Sequence, residues 1–121
     1  MNDELTEKII GAAIEVHRIL GPGLLESIYE EALCHELQLR GIAFERQKDV
    51  DVVYKGLVIK GQKLDLLVEG QVVLELKAVS RLSDVAMAQT LSYLKATGLK
   101  RALLINFSEK RLVDGLKRIS L

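Results

Sequence analysis

The centre of the sequence contains two apolar runs, Leu64-Asp65-Leu66-Leu67-Val68 and Val72-Val73-Leu74-Glu75-Leu76-Lys77-Ala78, which are separated by a turn around Gly70. Both runs have the length and composition of β-strands, and together they predict a hairpin. The length of its loop decides whether Asp65 and Glu75 share a face. A two-residue loop would put them on opposite faces. A three-residue loop ending in Gly70, or one centred on Gly70, would make them direct or diagonal neighbours on one face.

Three charged residues in these runs predict a metal site. Asp65 lies among apolar neighbours, where an unpaired charge is costly to bury. Glu75 and Lys77 share a face of their strand, because alternate side chains point the same way. Neighbouring carboxylates repel each other unless a cation such as Mg²⁺ compensates, and Lys77 would then orient a nucleophile or offset developing charge. The plainer alternative is an ordinary ion pair between Glu75 and Lys77 on a half-exposed strand.

Helical periodicity surrounds the predicted hairpin. Apolar residues recur at spacings of three and four over residues 5–20, with Asn2 or Asp3 as N-cap, and over residues 25–40, where Ile28 is placed on the buried stripe. The other predicted elements are strands at 44–54, 57–61 and 102–107, a helix at 84–97 that begins after Ser83, and a weaker element at 112–119. This order predicts an α/β (α+β) fold with a mixed central β-sheet flanked by helices, in a single domain over residues 1–121.

The composition narrows the class of function. Seventeen basic residues balance seventeen acidic ones, so nucleic acid would be held by a local patch or through a bound cation. Cys34 is the only cysteine, which excludes an intrachain disulfide and a cysteine-rich zinc site, and its place in a helical pattern predicts a core or boundary residue. The acidic N-terminal segment is unlike a signal peptide, and no apolar run approaches the roughly 20 residues that span a bilayer. We therefore expect a cytoplasmic protein without membrane contact.

Three separate blocks give the chain a resemblance to known nucleases. Asp65 with Glu75-Leu76-Lys77 resembles the core signature of the PD-(D/E)xK nuclease superfamily. Gly23-Leu24-Leu25-Glu26-Ser27-Ile28-Tyr29 is similar to the motif that names the GxxExxY protein family. Gln89-Thr90-Leu91-Ser92-Tyr93 resembles the QxxxY motif of RecB-type nucleases. The resemblance covers nearly the whole chain.

The resemblance implies a restriction-endonuclease-like core of helix, three-stranded antiparallel meander, helix and strand. It implies four catalytic residues: Glu26, Asp65, Glu75 and Lys77. The three acids among them are the implied ligands of Mg²⁺ or Mn²⁺.

Residues outside that set receive weaker roles from the same resemblance. Gln89 and Tyr93, four residues apart and therefore on one helix face, are implied to bind substrate. His17 and Tyr29 are minor candidates, the first because some RecB-type sites use a helical histidine near the metal.

The favoured function is thus a divalent-metal-dependent nuclease that hydrolyses phosphodiester bonds of DNA or RNA. The alternative is a non-catalytic, nuclease-derived module that binds nucleic acid or a protein, which the zero net charge favours. The short chain also favours a homodimer or a larger complex. A small-molecule enzyme has little support, because the sequence has no glycine-rich phosphate loop and no recognisable serine or cysteine nucleophile.

Overall fold

The computed structural model describes residues 3–121, in which three α-helices and five β-strands follow the predicted order. The helices and strands are α1 (Glu4–Leu20), α2 (Glu26–Leu39), β1 (Phe44–Tyr54), β2 (Leu57–Val68), β3 (Val72–Lys77), α3 (Asp84–Thr97), β4 (Arg101–Asn106) and β5 (Leu116–Ser120). A short 3₁₀ helix (Leu112–Gly115) precedes β5, so the weaker element predicted at the end of the chain is a helical turn followed by a strand.

The five strands form one mixed sheet in the order β1-β2-β3-β4-β5. β1, β2 and β3 are an antiparallel meander, β4 runs parallel to β3, and β5 is antiparallel to β4. The parallel step between β3 and β4 is made through α3, as a parallel connection requires a crossover. The structure confirms the predicted mixed sheet with an antiparallel meander.

Helices cover both faces of the sheet because β2, β3 and β4 are apolar on both sides. One core lies under α1 and α2 and is centred on Leu33, Leu74 and Phe107. The other lies under α3 and includes Val73, Leu94 and further side chains of β2 and β4. Cys34 is buried in the first core, as predicted.

Polar caps set the helix ends that were predicted from the sequence. Asp3 accepts hydrogen bonds from the amides of Leu5 and Thr6 at the start of α1, while the alternative cap, Asn2, lies outside the described residues. Ser83 accepts from the amide of Ala86 at the start of α3.

Two details of the predicted strands and helices are wrong. The segments 57–61 and 64–68 form a single strand, because β1 pairs along the whole length and a register shift at Val50/Val52 absorbs the irregularity near Gly61. Ile28 is 46% exposed, since the buried stripe of α2 is formed by Tyr29, Leu33 and Leu37.

The far end of the β1–β2 hairpin projects with apolar side chains exposed on both faces. The exposed residues are Val52, Val53, Tyr54, Leu57, Val58 and Ile59. Within residues 3–121, helices reach neither the length nor the apolarity that crossing a bilayer demands.

Candidate metal centre

β2 and β3 pair over a short distance and then separate, and the predicted acids lie at the point of separation. The last paired residues are Leu66 and Leu74, so Asp65 and Glu75 are the next residues across from each other. The hairpin loop has three residues, Glu69, Gly70 and Gln71, between the paired Val68 and Val72. This is the odd loop length that puts both carboxylates on one face.

Where the strands separate, the two carboxylates take the place of backbone carbonyls as hydrogen-bond acceptors between β2 and β3. Glu75 Oε1 accepts a hydrogen bond from the amide of Asp65 at 3.0 Å. Asp65 Oδ2 accepts one from the amide of Leu76 at 2.8 Å. Each acid is thus oriented by the backbone of the opposite strand, and each keeps a second oxygen for another partner.

Burial and the charges of neighbouring acids disfavour ionisation of both carboxyl groups. Desolvation and the negative charge of Asp65 together raise the pKa of Glu75 to about 8, against the opposing effects of the Asp65 amide and Lys77. The pKa of Asp65 is raised by desolvation and by Glu30, while hydrogen bonds from Leu76 and Gln47 lower it. Carboxyl groups with pKa values raised in this way are typical of sites that bind a cation or hold a proton.

Lys77 is half-buried at the end of β3 and does not form the predicted alternative ion pair with Glu75. Among residues 3–121, no salt bridge includes Lys77 or Arg81. The positive charge of Lys77 nevertheless lowers the pKa of Glu26, Asp65 and Glu75. The ammonium group therefore lies within electrostatic reach of all three acids and is free to bind an anion.

Glu26 is the first residue of α2 and faces the same region. Desolvation and the charge of Asp65 raise its pKa, while Lys77 lowers it. However, no three acidic, histidine or cysteine side chains in the described part of the chain come close enough together to hold a metal ion. Glu26 therefore lies within electrostatic reach of Asp65 and Glu75, but the three carboxylates do not converge on one point.

Tyr29 fixes the loop that leads into Glu26. Its hydroxyl donates to the carbonyl of Gly21 at 2.6 Å and accepts from the amide of Leu24 at 3.1 Å. Its ring stacks on Phe107, with ring centroids 4.6 Å apart. Gly23 in this loop has φ 105°, a conformation that other residues rarely adopt. The glycine and tyrosine of the Gly23–Tyr29 segment thus shape the turn that presents the glutamate.

His17 also bonds to the backbone. It is buried in α1, and its Nε2 lies 2.8 Å from the carbonyl oxygen of Glu109, so this nitrogen is the donor. The contact ties α1 to the loop after β4. A direct role of His17 or Tyr29 at the metal stays a prediction.

The two α3 candidates lie at different depths. Gln89 is half-buried and lines a cleft of about 190 Å³ together with Lys77, Arg81 and Ser83. Tyr93 is 3% exposed, and its hydroxyl donates to the carbonyl of Lys63 at 2.9 Å. Burial and the charges of Glu75 and Asp65 together raise the pKa of Tyr93 to about 12, so the ring lies near the acids. Only Gln89 opens onto the cleft beside Lys77.

Three residues that were not predicted from the sequence border the acids. Glu30 is 8% exposed and accepts hydrogen bonds from Arg46 Nε at 2.8 Å and from Gln47 Nε2 at 2.9 Å. Glu30 lies one helical turn after Glu26, and this spacing could have identified it. Arg46 and Gln47 carry no such signal, because they lie in an irregular stretch of an exposed strand.

The donors present fit a divalent cation that prefers oxygen. Glu75 is buried, the adjacent Asp65 is half-buried, and Glu75 Oε2 has no hydrogen-bond partner among the described residues. Mg²⁺ is commonly held by one or two carboxylates, with waters and phosphate oxygens as the other ligands. Asp65 and Glu75 can supply those carboxylates without a third protein ligand.

A comparison with known families bears on this arrangement. A sequence model of the PD-(D/E)XK nuclease superfamily matches residues 3–119. The chain belongs to this superfamily. The five-stranded mixed sheet flanked by helices is consistent with the restriction-endonuclease-like fold of PD-(D/E)XK nucleases, which generally use divalent metals. No curated protein and no solved structure shows significant similarity to the chain.

Proposed function

We propose that this PD-(D/E)XK domain is a divalent-metal-dependent nuclease that hydrolyses phosphodiester bonds of DNA or RNA. The observation that carries the proposal is the pairing of Asp65 with Glu75 where β2 and β3 separate, with Lys77 next along the same face. Two adjacent, desolvated carboxylates with raised pKa values are unfavourable in isolation, and a cation would relieve their repulsion. Superfamily membership supports the same chemistry.

In this proposal the acids and Lys77 have different tasks. Asp65 and Glu75 would hold Mg²⁺ or Mn²⁺, and Glu26 would join them directly or through a water molecule. When bound, the cation supplies Lewis acidity, which polarises a phosphoryl group and lowers the pKa of an attacking water. Lys77, which has no salt bridge among residues 3–121, donates to a phosphoryl oxygen and offsets the charge that develops there.

The cleft beside Lys77 is suited to the phosphate backbone of the substrate. It brings the Gln89 amide and the Arg81 guanidinium to the same side as the Lys77 ammonium, and no acidic side chain lines it. We propose that Gln89 and Arg81 contact phosphates adjacent to the cleaved bond. This placement agrees with a QxxxY motif of the RecB type, and the Gly23–Tyr29 turn agrees with membership of the GxxExxY proteins. Tyr93 would act mainly by holding α3 against β2.

The proposal is tested by incubating the protein with single- and double-stranded DNA and RNA in the presence of Mg²⁺ or Mn²⁺. We expect cleavage by the wild type and a loss of about 100-fold or more in Lys77→Ala, because removing one preorganised electrostatic group commonly has that effect. Lys95→Ala provides the matched control, since Lys95 is an exposed lysine of α3. Absence of cleavage of every substrate by folded wild-type protein would refute the proposal.

A non-catalytic module that binds nucleic acid or a protein is the alternative. It is favoured by the failure of Glu26 to converge with Asp65 and Glu75 within residues 3–121. Mn²⁺ calorimetry separates the two functions. Binding that is abolished by Asp65→Asn supports the nuclease, and folded wild-type protein that binds no Mn²⁺ supports the module. A homodimer stays a prediction under either function.

A further inference from the structure

We propose that Gln47 is a positioning residue that orients the Asp65 carboxylate, an inference that rests on the proposed nuclease function. β1 and β2 pair on both sides of Gln47, through Arg46 with Leu66 and Lys48 with Leu64. At Gln47 itself the backbone has φ 53°, a left-handed conformation that a residue with a β-carbon rarely adopts within a strand. The strand is therefore distorted opposite Asp65 and remains regular on either side.

The distortion brings one side-chain amide to two acids. Gln47 Nε2 donates to Glu30 Oε1 at 2.9 Å and reaches Asp65 Oδ1 at 3.4 Å. A primary amide nitrogen carries two hydrogens, and an ionised carboxylate only accepts, so the nitrogen side of the amide must face these two groups. The amide thus joins α2 to β2 through a single group.

Glu30 anchors Gln47 from the other side. It is buried, and its second oxygen accepts from Arg46 Nε at 2.8 Å, so the negative charge of Glu30 is already compensated. Arg46 is held in turn by Glu31, which its other guanidinium nitrogen contacts at 2.6 Å. The hydrogen bond to Glu30 therefore fixes the position from which the Gln47 amide contacts Asp65.

Two donors on two different oxygens determine the plane of the Asp65 carboxylate. The Leu76 amide holds Oδ2 at 2.8 Å, and Gln47 approaches Oδ1 at 3.4 Å. A lysine or arginine in place of Gln47 would neutralise the carboxylate and compete with a cation. A neutral amide orients the group and leaves its negative charge available, as is usual for the hydrogen-bonding partners of metal ligands.

The test uses Gln47→Gly and Gln47→Asn, because glycine and asparagine both tolerate a left-handed backbone while neither carries the amide to Asp65. Lys55→Gly is the matched control. Lys55 also has a positive φ, 47°, but lies at the turn between β1 and β2 at the far end of the hairpin.

The first measurement is hydrogen exchange of the Leu76 amide in metal-free protein, with the Leu74 amide as internal reference. Both Gln47 variants should exchange Leu76 about tenfold faster than the wild type, because its acceptor is no longer held in place. Lys55→Gly should leave the rate unchanged. Unchanged Leu76 exchange in both Gln47 variants would overturn the proposal, whether or not the protein binds metal.

The second measurement is Mn²⁺ affinity by calorimetry. We expect the Gln47 variants to bind about tenfold more weakly than the wild type, while Lys55→Gly keeps the wild-type affinity. Equal affinities of wild type and both Gln47 variants would also overturn the proposal. If Leu76 exchange responds but the wild type binds no Mn²⁺, the positioning role of Gln47 is supported and the metal-dependent nuclease function fails.

Discussion

Asp65 and Glu75 lie opposite each other where β2 and β3 separate, and each carboxylate accepts a hydrogen bond from the backbone of the other's strand. The arrangement orients both acids but places two carboxyl groups side by side, with Glu75 buried and Asp65 half-buried. A pair of this kind lowers stability when both groups are ionised, and it is retained where the charges are needed for binding.

Glu75→Gln is expected to stabilise the metal-free protein above neutral pH. Folding raises the pKa of Glu75 to about 8, so the folded protein keeps a proton that the unfolded chain has lost. A carboxyl with a raised pKa contributes stability that is present at low pH and lost as the pH rises through the folded pKa. Urea denaturation from about pH 4 to about pH 9 should show the wild type weakening by a few kcal/mol, since one pKa unit corresponds to about 1.4 kcal/mol.

Glu45→Gln makes the same chemical change at an exposed position of β1 and should leave this pH dependence as it is in the wild type. A Glu75→Gln variant that is less stable than the wild type at about pH 9 would contradict the interpretation of Glu75 as an unfavourably buried charge.

Mn²⁺ is expected to raise the melting temperature of the wild type in a concentration-dependent manner. A ligand that binds only the folded state adds about 2.7 kcal/mol of stability at 100 times its dissociation constant. Asp65→Asn and Glu75→Gln should remove the effect, because each deletes one of the two carboxylates. Differential scanning fluorimetry with Mn²⁺ titration measures it, and an equal shift in wild type and both variants would argue for binding elsewhere.

Tyr29→Phe is expected to weaken both folding and activity. The variant keeps the ring that stacks on Phe107 but leaves the Gly21 carbonyl and the Leu24 amide without their partner. Loss of a hydrogen bond between partly buried groups reduces the free energy of unfolding by about 0.5–1.5 kcal/mol. The turn before Glu26 should loosen, so cleavage should fall even at temperatures where the variant is fully folded. Full activity in folded Tyr29→Phe would show that the turn does not position Glu26.

Gln89→Ala is expected to weaken substrate binding with little effect on stability, because Gln89 lines the cleft and is only half-buried. Tyr93→Phe should lower stability with little effect on substrate binding, since it removes a hydrogen bond between α3 and β2 from a buried side chain. KM and urea denaturation, measured on both variants, distinguish the two roles. A larger rise in KM for Tyr93→Phe than for Gln89→Ala would assign the substrate contact to the tyrosine.

Gly115→Ala is expected to destabilise the protein strongly. A β-carbon at Gly115 would lie 2.3 Å from the carbonyl oxygen of Asn106, and backbone at that distance cannot move aside cheaply. Gly11→Ala is the matched control, because its β-carbon would meet only the flexible end of Arg40 at 3.3 Å and it gains about 0.5–1 kcal/mol of helix propensity. Thermal unfolding should therefore move in opposite directions, and a stable Gly115→Ala would show that β5 can shift away from β4.

Local patterns in the sequence determined the strand pair and the face on which its charges lie. Side chains alternate along a strand, so Glu75 and Lys77 had to share a face. A loop centred on Gly70 then brought Asp65 to that face. Helix caps at Asp3 and Ser83 were identifiable for the same reason, since a cap bonds to amides only two or three residues away.

Tertiary structure alone decided what surrounds the two acids. Pairing of β1 with β2 places Gln47 opposite Asp65, and only the packing of α2 on the sheet brings Glu30 to the Gln47 amide. No local preference predicts the positive φ of Gln47, because an isolated strand disfavours it and the bonds that support it are long-range. The sequence by itself thus determined that Glu75 and Lys77 share one face and that an odd hairpin loop would add Asp65 to it. The tertiary structure decided the loop length and the side chain that orients Asp65.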